Sequence, residues 1–139
     1  MSITQRRAWR GAAYGVLAAT LLIPITAAAA PKSEAPLVTQ ALPHDPGLRL
    51  TAVEVVLAPG AKVASHHHAG TVFAYVLAGT VRSQLNGGEI VEYHPGQSWI
   101  EPSGTRHTLT ANPSGSVPAR FLATFVAPPG ARLTSMEAP

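Results

Sequence analysis

From residue 48 onward the chain is cut at short, regular intervals by residues that turn a backbone. Pro59-Gly60, Gly79, Asn86-Gly87-Gly88, Pro95-Gly96 and Pro102-Ser103-Gly104 separate runs rich in β-branched and apolar side chains. The runs are Leu48 to Leu57, Thr71 to Leu77, Thr80 to Leu85, Glu89 to Tyr93, Ser98 to Glu101, His107 to Ala111 and Arg120 to Ala127. None carries a sustained helical period with a start signal. Short strands punctuated by Gly/Pro turns predict an all-β sandwich or barrel. Asn86-Gly87-Gly88 is the strongest turn signal, because its residues tolerate the positive φ that a tight hairpin demands.

The 139 residues suit one domain, which the punctuated region fills. Ahead of it, Arg6, Arg7 and Arg10 precede an apolar run from Gly11 to Ile25 that ends in Ala27-Ala28-Ala29-Ala30. A basic start, a short apolar centre and small residues before the cut describe a secretory signal peptide over 1–30. The run is short of the ~20 residues needed to span a bilayer, and Pro24 interrupts it. The expectation is therefore an exported, periplasmic or secreted protein with no stable membrane span after processing; the Sec and twin-arginine routes both stay open. Residues 31–47, with four prolines, read as an extended arm or linker, 48–127 as the domain, and 128–139 as a turn-rich tail that wraps the outside or frays.

Charge narrows the partners. The chain has ten Lys/Arg and seven Asp/Glu. Three of those arginines lie in the leader and no acid does, so the processed part is formally neutral. The high pI belongs to the export signal, and with no basic stripe the expectation is no nucleic acid. Cysteine is absent, so the fold relies on its core without disulfides.

Three of the six histidines stand together at His66-His67-His68. On an extended chain His66 and His68 share one face, about 7 Å apart along the strand, and His67 takes the other. Two such imidazoles can converge on an ion if another element supplies more ligands. His107, in the second Gly/Pro-rich region, is the candidate third. His44 and His94 lie in turns and read as exposed; Glu89 and Glu92 read as a solvated edge.

The spacing of these residues resembles the cupin superfamily. Gly60, His66, His68 and Gly79 match its first motif, and Gly96, Pro102, Gly104 and His107 match its second. The resemblance covers about residues 48–127 and implies a small antiparallel double-sheet barrel, or jelly roll. It also implies a metal held by the three histidines. The chain departs from the family at Val72, where a glutamate ligand usually stands. Asn112 sits one residue later than the family's usual asparagine.

Glu101 is the candidate replacement. Alternation puts Trp99 and Glu101 on one strand face. If Trp99 lines the interior, Glu101 points inward with it, where a carboxylate is costly unless paired or bound to a cation. In the other reading this face looks outward and Glu101 meets water. Three imidazoles, with or without one carboxylate, suit a single divalent transition metal (Fe, Mn, Zn, Ni or Cu) and suit Ca or Mg poorly.

Two functions follow as expectations. One is a metal-dependent, dioxygenase-like enzyme acting on a small apolar or aromatic molecule, its mouth lined by Phe73, Tyr75, Trp99 and Leu109. The alternative is a non-catalytic periplasmic module that binds a small ligand or a metal. Either admits a homodimer.

Overall fold

The computed structural model describes residues 32–137; the expected leader at 1–30 lies outside them. Eleven strands form in chain order: β1 (Lys32–Leu42), β2 (Asp45–Leu57), β3 (Lys62–Val63), β4 (His66–His68), β5 (Thr71–Ala78) and β6 (Val81–Leu85). They continue as β7 (Ile90–Tyr93), β8 (Ser98–Glu101), β9 (Arg106–Ala111), β10 (Ala119–Ala127) and β11 (Thr134–Met136). Among the described residues there is no helix, and so none long and apolar enough to cross a membrane.

The strands make two antiparallel sheets, one ordered β1-β2-β10-β5-β8 and the other β11-β4-β9-β6-β7, with β3 added beside β9. The all-β class is thus observed as a two-sheet jelly roll. The β6–β7 turn has Asn86 at φ 52° and Gly87 at φ 72°, with Gly88 N–H bonded to the Leu85 carbonyl. Positive φ at both central residues is the hairpin geometry that twists with its strands.

Alternation along the central strands builds the core. β5 turns Val72, Ala74 and Val76 inward, while β10 contributes Ala119, Phe121, Ala123 and Phe125 and β2 contributes Val53, Val55 and Leu57. Trp99 from β8 and Val81 from β6 complete the cluster. The opposite face of β5 leaves Phe73, Tyr75 and Leu77 exposed, alongside Ile100 of β8.

Both flanking segments are tied in. The stretch read as an arm or linker is extended, but as β1, paired along its length with β2 through the Pro43-His44 turn. Most of its side chains are exposed, so no apolar alternation announced it. Pro36 falls at a register irregularity on this edge strand, where a missing N–H is tolerated. The tail supplies β11, which pairs residue for residue with the histidine strand β4.

Candidate metal centre

The site lies between the sheets, and local backbone sets each of its side chains. β4 directs His66 inward and His67 to solvent, and His66 pairs across the sheet with His107 of β9. Gly70 allows the chain to leave β4 for β5. A Cβ there would meet the Val126 carbonyl oxygen at 2.0 Å, a close approach only glycine permits. Trp99 and Glu101 both point inward from β8, and each is buried.

His66, His68 and His107 form a group that can hold a metal ion, their donor atoms all within 4.8 Å of one another. Glu101 stands beside that group. Its Oε1 lies 3.2 Å from His107 Nδ1 and accepts a 2.9 Å hydrogen bond from Trp99 Nε1–H, and its Oε2 lies 3.6 Å from His68 Nε2. Val72 and Glu101 are direct cross-strand partners in the β5–β8 pair, so they share the inner face. A carboxylate carried by β8 therefore enters the same space that one carried at position 72 would reach.

Tautomers follow from the hydrogen bonds. A carbonyl only accepts, so His66 Nδ1–H donates to Ala64 O at 2.8 Å and His68 Nδ1–H donates to Leu133 O at 2.9 Å. Each neutral ring then keeps a bare Nε2. Burial lowers the pKa of His66 to about 4 and pushes that of His68 down as well, so both are neutral near pH 7. For Glu101 burial pushes the pKa up, but the hydrogen bond and charge of His107, with Trp99 and His68, outweigh it and hold the carboxyl below its ordinary value.

The consequence is a buried juxtaposition of acceptors. His68 Nε2 carries no proton, and Glu101 Oε2 has no hydrogen-bond partner. Two lone-pair atoms 3.6 Å apart in a low-dielectric interior repel unless a cation lies between them. His107 poses the same question in another form. Its Nε2 lies 2.8 Å from Ser83 Oγ and 3.0 Å from Thr110 Oγ1. The hydroxyls of Ser83 and Thr110 can donate to Nε2, leaving Nδ1–H to donate to Glu101 Oε1, or accept from Nε2–H, leaving Nδ1 a bare nitrogen that an ion can share with Oε1. Ligand bonds of about 2.1 Å separate adjacent donors by about 3.0–3.4 Å; the observed 3.2 Å lies within that span and 3.6 Å just beyond it. The donor set fits a transition metal.

The cavity beside these groups is small, about 30 Å³, enough for about one or two waters. Its apolar wall includes Val55, Val63, Val72, Ala74, Phe121 and Phe125. Three of the four residues expected at the mouth are elsewhere. Phe73 and Tyr75 pair with Ile100 and Ser98 on the outer face of their sheet, because cross-strand partners share a face with each other and not with Val72 or Ala74. Leu109 is also outward: the β6–β9 register shifts between Gln84 and Leu85, which re-phases β9 so that His107 and Thr110 both point in. Only Trp99 is inside, packed on Phe121 and bonded to Glu101.

Several site residues had no sequence signal that separates them from their neighbours. They are Ser83 and Thr110 around His107, the Leu133 carbonyl that orients His68, and Lys32 and Glu34 at the rim. Asn112 is fully buried and structural: its side-chain amide donates toward the Leu57, Ala58 and Val117 carbonyls and its oxygen accepts from Ser114 N–H. His44 and His94 are exposed, as the turns implied.

Residues 53–125, more than half of the chain, match the family model described as Cupin domain. No curated protein matches the chain. Among solved structures, a protein with a double-stranded β-helix domain from Klebsiella pneumoniae is 18% identical, with a TM-score of 0.62 over 81% of this chain and 90% of that one. A polyketide cyclase from Streptomyces resistomycificus is 24% identical, with a TM-score of 0.57 over 74% and 70%. An oxalate decarboxylase from Bacillus subtilis is 28% identical, with a TM-score of 0.53 over 63% of this chain but 24% of that one.

Proposed function

The chain belongs to the cupin superfamily, and from that premise we propose that it is an exported protein that holds one divalent transition metal through His66, His68, His107 and Glu101 and acts on a small molecule there. The observation that carries the reading is the buried Glu101 Oε2 without a partner, facing the proton-free Nε2 of His68. A bound metal supplies Lewis acidity and, for a redox-active ion, access to dioxygen chemistry of the dioxygenase-like kind. The protein's own part is legible in its side chains. Ala64 O and Leu133 O fix two ring tautomers, Ser83 and Thr110 hold the third ring, and Trp99 N–H restrains the carboxylate. The apolar wall keeps bulk water from the donors and strengthens their electrostatics.

The size of the cavity favours a second reading, the non-catalytic metal- or ligand-binding module. About 30 Å³ is far below the roughly 300–1,000 Å³ of pockets that enclose drug-sized ligands. An aromatic substrate does not fit inside this conformation; a head group of a few atoms does. Elemental analysis of the purified protein, with and without His107→Ala, tests the shared premise. We expect one equivalent of transition metal in the wild type and a clear deficit in the variant; equal metal content in both would sink the four-residue site. Oxygen uptake across a panel of small substrates then separates enzyme from module. Export is read from the leader alone, and intact Met1 on protein recovered from the periplasm would reject processing.

A further inference from the structure

Around the histidines, the inner face of the five-stranded sheet carries charge at Glu101 and at its β1 edge. There Lys32 pairs with Leu57 and Glu34 with Val55 in the antiparallel register. Cross-strand partners share a face, so both charged residues lie on the side that Leu57 and Val55 bury. Both line the cavity that holds the histidines. They form an ion pair at 2.5 Å, but unequally: the Lys32 side chain is 24% exposed and that of Glu34 is 43% exposed. Of the two, the side chain that carries the ammonium is the more buried. Inward charges on an edge strand also discourage sheets from joining, which is the ordinary use of such residues. That use needs no particular place along the edge, and here the pair lines the same cavity as His66, His68, Glu101 and His107.

We propose that Lys32 is an anion-recognition residue and that the site takes a small carboxylate, head group inward. This rests on the metal reading above. A dication held by three neutral imidazoles and one carboxylate keeps one net positive charge, and the Lys32–Glu34 pair adds none. A monoanion completes the balance inside a wall too apolar to supply it. The cavity admits a head group of about carboxylate size and little more, so any larger part of the ligand lies along the rim beside β1. On binding, the ligand carboxylate takes the place of Glu34 as the partner of the ammonium.

The test uses the full processed chain loaded with Co(II), whose visible spectrum reports its ligands, titrated with acetate. Acetamide is the uncharged control of the same size, and chloride controls for ionic strength. We expect saturable spectral change with acetate only. Lys32→Gln should weaken acetate binding roughly 10-fold or more, the scale of one charge-assisted hydrogen bond, with Co(II) stoichiometry unchanged. Glu34→Gln should tighten it by removing the rival carboxylate. A protein that takes up Co(II) but binds acetate equally with Gln at position 32, or does not respond to acetate, overturns this proposal alone. A protein that takes up no Co(II) overturns the metal reading and this proposal with it.

Discussion

Glu101 faces Val72 across the β5–β8 pair, and both side chains are buried on the same inner face. That geometry gives a physical sense to a carboxylate on one strand substituting for one on the next. Glu101→Gln keeps the shape and removes the charge, leaving three neutral rings to hold a dication. The loss of even a supporting partner commonly costs ~10–100-fold in metal affinity, and the loss of a direct ligand should be at least comparable. Adding Val72→Glu to that variant should restore part of the affinity, since the new carboxylate enters from the facing position. Competition titrations against a chelator measure both steps, and wild-type affinity in Glu101→Gln would make Glu101 a structural partner of Trp99 and His107 only. At this scale the histidine spacing and the Trp99–Glu101 alternation were readable from the chain. Ser83 and Thr110 were not, because their place beside His107 depends on a strand pairing and a bulge.

Among the elements, β11, like β1, has a role that the chain concealed. Thr134, Ser135 and Met136 pair with His68, His67 and His66, and the residue just before them, Leu133, accepts the His68 ring proton. Glu137 N–H bonds to Ser65 O, and its carboxylate lies 3.6 Å from Arg106. The histidine strand is three residues long and sits between β9 and β11, so without β11 it becomes an edge. Ending the chain after Gly130 should therefore lower metal affinity by roughly 10–100-fold, the scale of lost outer-shell support. The core cluster would lose only the packing of Leu133. Circular dichroism should retain the β-sheet signature, and nitrogen NMR of the metal-free protein should show His68 no longer held as its Nδ1–H tautomer. A truncated chain with unchanged metal affinity would reduce β11 to a surface strap.

Taken whole, the molecule rests on an apolar core that encloses a few ionisable groups, and that ties stability to pH. His66 has its pKa lowered to about 4 by burial, against 6.5 for an ordinary imidazole. Between those values the unfolded chain binds a proton that the folded chain does not, so stability rises with pH across the window. It is fully present above about pH 6.5 and lost as pH falls toward 4. The effect is at most roughly 3.5 kcal/mol at ~1.4 kcal/mol per unit. His68, shifted in the same direction, adds to it. Urea denaturation of metal-free protein from pH 7 to pH 4 should show the midpoint falling; a flat profile would mean that His66 is not held neutral. The same shift means that protons displace metal at a lower pH than an unperturbed histidine site would suggest, because metal competes for the bare Nε2.

Local chemistry decided the strands, their turns and the histidine face. Turn residues act through their own φ, and alternation acts through the two-residue repeat of the strand, so both are written into consecutive positions. Asn86-Gly87 and the inward His66 are of that kind. Only the tertiary structure decided which face of β8 looks inward, that β9 changes phase before Thr110, and that Lys32 and Leu133 meet the same site from opposite ends of the described chain. Each depends on which strand lies beside which. Such pairings form between residues far apart in the chain, through backbone hydrogen bonds that every residue type can accept and every type but proline can donate.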